Sequence, residues 1–462
     1  MTGKNCALFI FRRDLRIADN TGLLFAVQNF QKVLTSFIFT PEQVDNSNEF
    51  RSDRCLQFML DCLEDLSADI SKNGGKLNLF YGNVGEIVRK LIEDQKVNAI
   101  IVNRDFTQFS IERDKIIEKV CLENLIEFKS FDDLLLNAPE TTLKPNTKEP
   151  YTVFTPFYKN ASNFKVPEPV DNVKFGNFSS EKIKFAIDDE KEFFAKLIPK
   201  RFEQAKGGRQ ECLKTLADMS KFKKYSEDRD FLAKQGTTRL SAHLKFTTCS
   251  PREIYYAATK QLGSNAAPLT RQLYWRDFYT QIALFFPKVF RENFREKYNK
   301  LLWGDDEHFK LWCEGKTGFP IVDAGMRELN ETGYMHNRAR MITASFLVKD
   351  LHIDWRLGEK YFARHLIDYD PCVNNGNWQW AASTGCDPQP YFRIFNPWLQ
   401  SAKFDPDCEY IKRYVSELKD VAPPKIHKWY MEENRKNFKA YPAPIVDHWK
   451  ESKNAIERFK AC

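Results

Sequence analysis

The chain has 462 residues, which is enough for two or more domains with a large core. Hydrophobic residues make up 42% and charged residues 29%, a composition typical of a soluble globular protein, and no apolar run approaches the length that spans a membrane. The formal net charge of +7 permits a polyanionic partner, while the lack of CxxC pairs and of zinc-ligand histidine spacing argues against a zinc site.

The N-terminal part alternates short apolar runs with amphipathic helical patterns, which predicts a parallel sheet with right-handed crossovers. Arg12 and Arg13 follow the first run at once, so this run is predicted to be a buried strand rather than a signal peptide. No GxGxxG motif follows it, so a standard dinucleotide site is not indicated. The predicted strands are Ala7 to Phe11, Val33 to Phe39, Leu77 to Tyr81, Asn98 to Val102 and Ile126 to Phe131, and the predicted helices are Asp53 to Ile70, Val84 to Glu93 and Ser110 to Glu123.

The middle of the chain is rich in proline and polar residues, and the pattern beyond Phe202 is mostly helical. We therefore predict a Rossmann-like α/β domain over 1–135, an interdomain connector over 136–200 and an all-α domain over 201–462. Eleven cysteines are scattered singly, which favours reduced thiols in an intracellular compartment.

Residues 236–241 form a glycine- and hydroxyl-rich segment at the start of the helical region. Gly236 permits close backbone approach, Thr237, Thr238 and Ser241 carry hydroxyl groups, and Arg239 carries a guanidinium fork. This set of groups suits a diphosphate, although a capped loop is the commoner explanation of such a segment.

Residues 271–279, RQLYWRDFY, predict a helix with an aromatic stripe. Gln272, Trp275, Arg276 and Tyr279 fall at helical spacing on one side. When the segment is considered alone, core packing is the first explanation of the stripe.

Residues 333–397 interrupt helix-friendly sequence with polar groups and contain three tryptophans. Asn337, Arg340 and Met341 share one stripe of a helix predicted to start near Gly333, and a buried arginine needs a counter-charge such as Asp368 or Asp370. A structural ion pair in a helical bundle is the alternative.

Trp378 and Trp380 lie two residues apart, about 200° around a helix axis, so the two indoles must face different surroundings. Trp355 lies upstream in the same stretch. Bulky core packing is an alternative explanation of Trp378, Trp355 and Trp303.

Two runs in this stretch, WQWAASTG at 378–385 and YFRIFNP at 391–397, resemble the signatures of the DNA photolyase and cryptochrome family. The run FRRDLRIADN after the first strand, the run TTRLS at 237–241 and the C-terminal YPAPIVDHWKESKNAIERF are also similar to family segments, with Thr238 in place of a serine. The resemblance covers nearly the whole chain and is strongest to the class I-like cyclobutane pyrimidine dimer photolyases. It implies an α/β antenna domain followed by an all-α FAD-binding catalytic domain.

The resemblance assigns roles to individual residues. Trp378, Trp355 and Trp303 match an electron relay, and Asn374 matches the amide that faces the redox-active ring nitrogen of the flavin. The implied FAD contacts are Tyr225, Thr237, Thr238, Arg239, Leu240, Ser241, Arg276, Asn337, Arg340, Asp368, Asp370 and Asn374. The implied contacts with DNA and its lesion are Gln272, Trp275, Asn337, Arg338, Met341, Trp380 and Arg393.

The function implied by the resemblance is light-dependent repair of DNA, in which photoexcited reduced FAD splits a cyclobutane pyrimidine dimer. A cryptochrome-like blue-light photoreceptor is one alternative, although signalling cryptochromes commonly carry a long tail after the C-terminal segment quoted above. A generic flavin oxidoreductase with a diffusible substrate is another alternative, against which the tryptophan-rich stretch argues.

The residues at the predicted lesion site resemble two kinds of photolyase. Gln272 stands where cyclobutane dimer enzymes usually have glutamate and is typical of (6-4) photolyases, whereas Asn337 and Met341 stand where (6-4) enzymes have two histidines. Because rearranging a (6-4) photoproduct needs proton transfer, and neither Asn nor Met is a general acid, we expect repair of cyclobutane dimers.

The remaining expectations concern cofactors and partners. The family also carries a second chromophore, which acts as an antenna. Thr107 falls near the position of the acidic residue that binds a folate antenna in the family. A deazaflavin or a second flavin is therefore an alternative to a folate as the antenna. We expect UV-damaged DNA as the partner, no membrane, no metal, a monomer, and a location in the cytoplasm or nucleus with DNA.

Overall fold

The structure is a computed structural model, and it describes residues 5–170, 175–304, 307–436 and 438–462. Residues 171–174 of the predicted connector lie outside the described residues. The chain packs into two compact units, and each is described by itself. The sheet unit comprises Met1–Tyr151, Thr155–Lys223 and Arg239–Phe285, and the helical unit comprises Thr152–Phe154, Lys224–Thr238 and Phe286–Cys462. The domain boundaries predicted at residues 135 and 200 follow changes in secondary structure along the chain, and they stay a prediction.

The sheet unit is built on five parallel strands in the order β3-β2-β1-β4-β5. The apolar runs predicted all five, with bounds correct to within one residue. The first four strands are almost wholly buried, which is why their side chains read as continuous apolar runs rather than as an alternation. The strands are β1 (Cys6–Phe11), β2 (Lys32–Phe39), β3 (Leu77–Tyr81), β4 (Ala99–Asn103) and β5 (Glu127–Phe131).

Helices cover this sheet and continue beyond it. The three helices predicted between the strands are present, with ends shifted by at most two residues. The helices of the sheet unit are α1 (Thr21–Asn29), α2 (Pro41–Val44), α3 (Asp53–Lys72), α4 (Val84–Gln95), α5 (Gln108–Glu123), α6 (Phe154–Ala161, except its first residue), α7 (Glu190–Leu197), α8 (Arg209–Ala217), α10 (Ser241–Lys245), α11 (Pro251–Leu262) and α12 (Ala267–Phe285), with short 3-10 turns at Pro139–Thr142, Met219–Phe222 and Gly263–Asn265.

The predicted connector contributes backbone hydrogen bonds to one side of the sheet. Asn177 accepts a hydrogen bond from the amide of Val33, and the amide of Ile187 donates to the carbonyl of Leu79 at 2.8 Å. An open strand edge invites pairing with other chains, so this cover protects the β3 side.

Within the described residues, the helical unit contains α9 (Tyr225–Asp228) and ten helices from the C-terminal part of the chain. Its core is rich in aromatic side chains, among them the fully buried Trp312, Trp355 and Trp429. Among the described residues, no helix is both long and apolar enough to cross a membrane. The ten helices are α13 (Phe309–Glu314), α14 (Pro320–Thr332), α15 (Asn337–Lys349), α16 (Trp355–His365), α17 (Pro371–Ala382), α18 (Pro397–Phe404), α19 (Glu409–Tyr414), α20 (Pro423–Ile426), α21 (Glu432–Arg435) and α22 (His448–Lys460), with 3-10 turns at Pro287–Phe290, Glu296–Lys300 and Ser416–Leu418.

One predicted helix boundary was wrong. The helix carrying Asn337 was expected to start near Gly333, but Gly333 has a left-handed φ of 70° and ends α14, and α15 starts at Asn337 with His336 as its cap. A glycine at this position is the usual way to end a helix, because other residues are strained there.

Gly358 on α16 allows α16 and α17 to pack closely, and it generates a stability prediction. A Cβ built on Gly358 would lie 2.2 Å from the Trp378 ring and 2.5 Å from Leu347. Alanine in a helix is favoured over glycine by about 1 kcal/mol. Overpacking a core typically costs about 1–3 kcal/mol. We expect Gly358→Ala to lower the free energy of unfolding, measured by denaturant titration with tryptophan fluorescence.

Gly176→Ala is the control, since a Cβ there meets nothing within 4 Å. A Gly358→Ala protein as stable as the parent would show that Trp378 does not pack against α16 in this way.

Candidate functional site

The candidate residues are distributed over both units. The sheet unit holds Arg239, Leu240, Ser241, Gln272, Trp275 and Arg276, and the helical unit holds the others. Each share is described within its own unit.

In the sheet unit, α12 presents Gln272 and Trp275 differently from Arg276. Gln272 is exposed and its Nε2 donates to the carbonyl of Pro268 at 3.2 Å. Trp275 is partly buried, with its ring centroid 5.5 Å from that of Tyr279. Arg276 is buried and donates to the carbonyls of Leu134 and Leu244, so its guanidinium ties elements of the sheet unit together.

Residues 239–241 lead directly into α10. Arg239 is exposed and has a left-handed φ of 53°, Leu240 is buried, and Ser241 is the exposed first residue of the helix. The two charged or hydroxyl side chains of this segment therefore face outward from the sheet unit, while the leucine anchors it.

Gly236 and the two threonines after it belong to the helical unit. A Cβ on Gly236 would lie 2.8 Å from backbone atoms of Asp228, so the close approach that requires glycine is to the chain itself. Thr237 and Thr238 are half-buried. Tyr225, at the start of α9, is buried, and this burial raises the pKa of its hydroxyl.

A partly buried ion pair joins α15 to the loop before α17. Arg340 Nη2 donates to Asp368 Oδ2 at 2.8 Å, and Arg340 Nε donates to the carbonyl of Met335 at 2.8 Å. Burial tends to lower the pKa of the Arg340 guanidinium, but the Asp368 carboxylate outweighs it and the pKa is raised. Asp368 Oδ1 is buried and has no hydrogen-bond donor among the described residues.

Asp370 and Asn374 lie one turn apart at the start of α17. Asp370 caps the helix by accepting from the amide of Cys372 at 3.0 Å. Asn374 Nδ2 donates to Glu359 Oε1 at 2.9 Å and to the Glu359 carbonyl at 3.3 Å. Because both partners are acceptors, they fix the amide nitrogen of Asn374 toward α16 and leave its oxygen to face the other way.

Glu359 was not among the residues selected from the sequence. It is buried, and burial raises the pKa of its carboxyl to about 7, with a smaller opposing effect from the Asn374 hydrogen bond. In the sequence, Glu359 lies in the charged run WRLGEK, which predicts a solvent-exposed helix face. The signal that could have identified it is Gly358, because a small residue beside Glu359 lets Trp378 and α17 approach.

The residues of the helical unit that are predicted to contact the lesion and DNA differ in exposure and in pairing. Asn337 is exposed and Met341 is half-buried one turn later on α15. Trp380 is half-buried, and Arg393 is exposed. Arg338 instead pairs with Asp230 at 2.9 Å, an ion pair made within the helical unit.

The tryptophans predicted to form a relay lie in or against one aromatic core. Trp378 and Trp355 are buried, and Trp303 packs partly buried against the same cluster. Trp378 contacts Phe362 at a ring-centroid distance of 4.8 Å and Trp312 at 6.3 Å. Trp378 and Trp380 face different surroundings, as their angular separation on the helix predicted.

Three further features of the sequence can be located in the structure. Thr107 caps α5 by accepting from the amide of Ser110 at 3.2 Å, so the hydroxyl has a local role. The structure has all eleven cysteines as free thiols. Among the described residues, no group of three or more His, Cys, Asp or Glu side chains could hold a metal ion.

Family models match both parts of the chain. Residues 7–174 match the model described as DNA photolyase, and residues 269–461 match the model described as FAD binding domain of DNA photolyase. A curated relative named deoxyribodipyrimidine photo-lyase, from Alkalihalophilus pseudofirmus, is 38% identical over 97% of this chain and 97% of its own.

Solved structures give the same result. An archaeal photolyase from Sulfolobus tokodaii with two FAD molecules is 41% identical, with a TM-score of 0.87 over 99% of this chain and 100% of its own. A bacterial class III photolyase from Agrobacterium tumefaciens is 34% identical, with a TM-score of 0.90 over 100% of this chain and 98% of its own. The class I-like assignment made from the sequence stays a prediction. With matching family models and relatives of this identity along nearly its whole length, this chain belongs to the DNA photolyase and cryptochrome family.

Proposed function

We propose that this protein is a light-dependent DNA repair enzyme that uses FAD to split cyclobutane pyrimidine dimers, a deoxyribodipyrimidine photo-lyase. The observation that carries the proposal is the pair of polar contacts among α15, α16 and α17, in which Arg340 holds Asp368 and Glu359 orients Asn374. The enzyme works as a monomer on UV-damaged DNA inside the cell, in the cytoplasm or nucleus.

The residues present fit a flavin. Asp368 Oδ1 is buried and lacks a donor, so a ring N–H or ribityl hydroxyl would complete its hydrogen bonding. The Asn374 oxygen, directed away from Glu359, is an acceptor for a ring N–H. Within the helical unit, Thr237 and Thr238 supply hydroxyl donors for a diphosphate.

The protein's part in the reaction is positioning and electrostatics. When bound, FAD supplies the light absorption and the electron that splits the dimer. Arg340 places a positive charge beside the Asp368 carboxylate, and Asn374 offers a neutral amide that does not repel a negatively charged ring. Glu359, with a pKa of about 7, holds a proton next to the Asn374 amide without adding a full negative charge there.

Trp275 on α12 is the proposed platform for the flipped lesion. Its ring is only partly buried, so part of its surface is exposed. Stacking on an aromatic side chain is worth about 1–3 kcal/mol per base, which offsets part of the cost of flipping. Arg393, which is exposed, is a better candidate for a phosphate contact than Arg338, whose guanidinium is paired with Asp230.

The competing candidate is repair of (6-4) photoproducts, which Gln272 favours. The geometry offers no general acid at Asn337 or Met341, and His336 Nδ1 accepts from the amide of Arg338 as the cap of α15. We therefore assign cyclobutane dimers as the substrate.

The test is repair of oligonucleotides carrying each lesion, illuminated with fully reduced protein. We expect restoration of the cyclobutane dimer and no restoration of the (6-4) photoproduct. Gln272→Glu should raise the repair yield, because a carboxylate is a stronger acceptor for the imide N–H of thymine. Asn377→Asp, an exposed amide on α17, is the matched control for the added charge. Repair of the (6-4) lesion, or of neither lesion, would overturn the assignment.

The relay proposal is tested with Trp378→Phe. Photoreduction of the oxidised cofactor should be suppressed, because phenylalanine is much harder to oxidise than tryptophan. Repair by chemically reduced protein should survive. Trp429→Phe, another fully buried tryptophan, controls for lost packing. If both variants photoreduce like the parent, these indoles are core residues only.

The position of Glu359 predicts how stability changes with pH. Its folded pKa of about 7 lies above the ordinary value of 4.5, so the folded protein binds more protons between these values. The free energy of unfolding should therefore fall as pH rises from about 4.5 to about 7. Glu359→Gln should remove this part of the fall, as measured by denaturant unfolding across that range. An unchanged slope in the variant would show that Glu359 titrates normally.

A further inference from the structure

The C-terminal helix α22 contacts the segment that carries Trp303. Arg458 Nη1 donates to the carbonyl of Leu302 at 3.0 Å. On the other side of Trp303, the amide of Gly304 donates to the carbonyl of His352 at 2.7 Å. The residues on both sides of the tryptophan are therefore held by hydrogen bonds from elsewhere in the helical unit.

His352 lies in the loop between α15 and α16, three residues before Trp355. Its φ of 56° is in the left-handed region, which is uncommon for a residue with a side chain and is retained only where the surroundings enforce it. Its carbonyl faces Gly304, and its Nε2 lies 2.9 Å from Glu451 Oε2 on α22. The same residue thus connects the segments of Trp303 and Trp355 to α22.

Helix α22 is itself firmly seated. His448 Nδ1 lies 2.5 Å from Asp350 Oδ1 in the same loop, and both residues are buried. Near the other end, Phe459 is buried, with its ring 5.3 Å from that of Tyr298 and under the Lys349 ammonium at 3.3 Å. A helix held at both ends can act as a rigid support for the loop and for residues 302–304.

We propose that α22 is a clamp that sets the position of Trp303 relative to Trp355, with His352, Glu451 and Arg458 as positioning residues. The inference rests on the proposed relay through Trp378, Trp355 and Trp303. Electron transfer between two aromatic rings falls steeply with their separation, so a small displacement of residues 302–304 would slow the outer step.

The His352–Glu451 pair is largely buried, but the contact between Arg458 and Leu302 favours a positioning role over a stabilising one. Arg458 is exposed, and Leu302 and Gly304 are exposed as well. Hydrogen bonds and ion pairs in contact with water contribute little to the free energy of unfolding. Their effect is to select one arrangement of a surface segment, and Trp303 is the side chain that this arrangement orients.

The test compares clamp variants with matched controls on the same helix. Glu451→Ala removes the partner of His352, Arg458→Met removes the bond to Leu302, and Glu451→Gln keeps an acceptor for His352. Glu457→Ala and Lys460→Met make the same charge changes at exposed positions of α22. The readouts are the photoreduction rate of the oxidised holoprotein, its flavin content and its free energy of unfolding.

We expect a several-fold slower photoreduction in Glu451→Ala and Arg458→Met at unchanged flavin content, with Glu451→Gln and both controls close to the parent. In a Trp303→Phe background, the two clamp variants should cause no further loss, because the residue they position is gone. This double-mutant comparison separates positioning from a general weakening of the fold.

The outcomes distinguish the clamp from the relay on which it rests. If Trp303→Phe photoreduces like the parent, the outer relay is wrong and the clamp with it. If Trp303→Phe is slow but the clamp variants behave like their controls, the clamp is wrong and the relay stands. If the clamp variants slow photoreduction equally in both backgrounds, α22 acts through general stability and the inference is overturned.

Discussion

The hydrogen bonds of Asn374 and Arg340 are the constraint on which the rest of the helical unit depends. Both side chains are partly buried, and an unpaired polar group is costly away from water. Asn374 is oriented by Glu359, and Arg340 is neutralised by Asp368. These pairs connect α15, α16 and α17 in fixed relative positions, so the acceptors and charges offered to a ring are set before any ligand arrives. Preorganisation of this kind is how a protein tunes a bound cofactor.

Packing around Trp378 also helps to fix the position of α17 relative to α16. Gly358 lets the indole lie directly on α16, and Glu359 follows it on the helix, so the close approach of α17 brings Asn374 to Glu359. A single glycine therefore connects the aromatic core to the polar pair. Trp303 is less deeply packed, and α22 bonds to the residue before it through Arg458.

Several residues at positions that resemble functional positions of the family make structural contacts within their own unit. Gly236 is required by the backbone of Asp228, Arg276 bonds to two carbonyls of the sheet unit, and Arg338 pairs with Asp230. Thr107, near the expected folate contact, caps α5. A motif thus identifies the family with certainty, but the role of each residue in it depends on contacts that the motif does not contain.

The sequence by itself determined the five strands and the helices between them, because buried parallel strands are continuous apolar runs and helix ends carry their own capping residues. It also determined the family, because long runs such as WQWAASTG and YFRIFNP are specific. Only the tertiary structure identified Glu359, since a carboxyl in a charged run reads as exposed until α17 covers it. The clamp on Trp303 was likewise decided in three dimensions, because Leu302, His352 and Arg458 are far apart in the chain and no local pattern connects them.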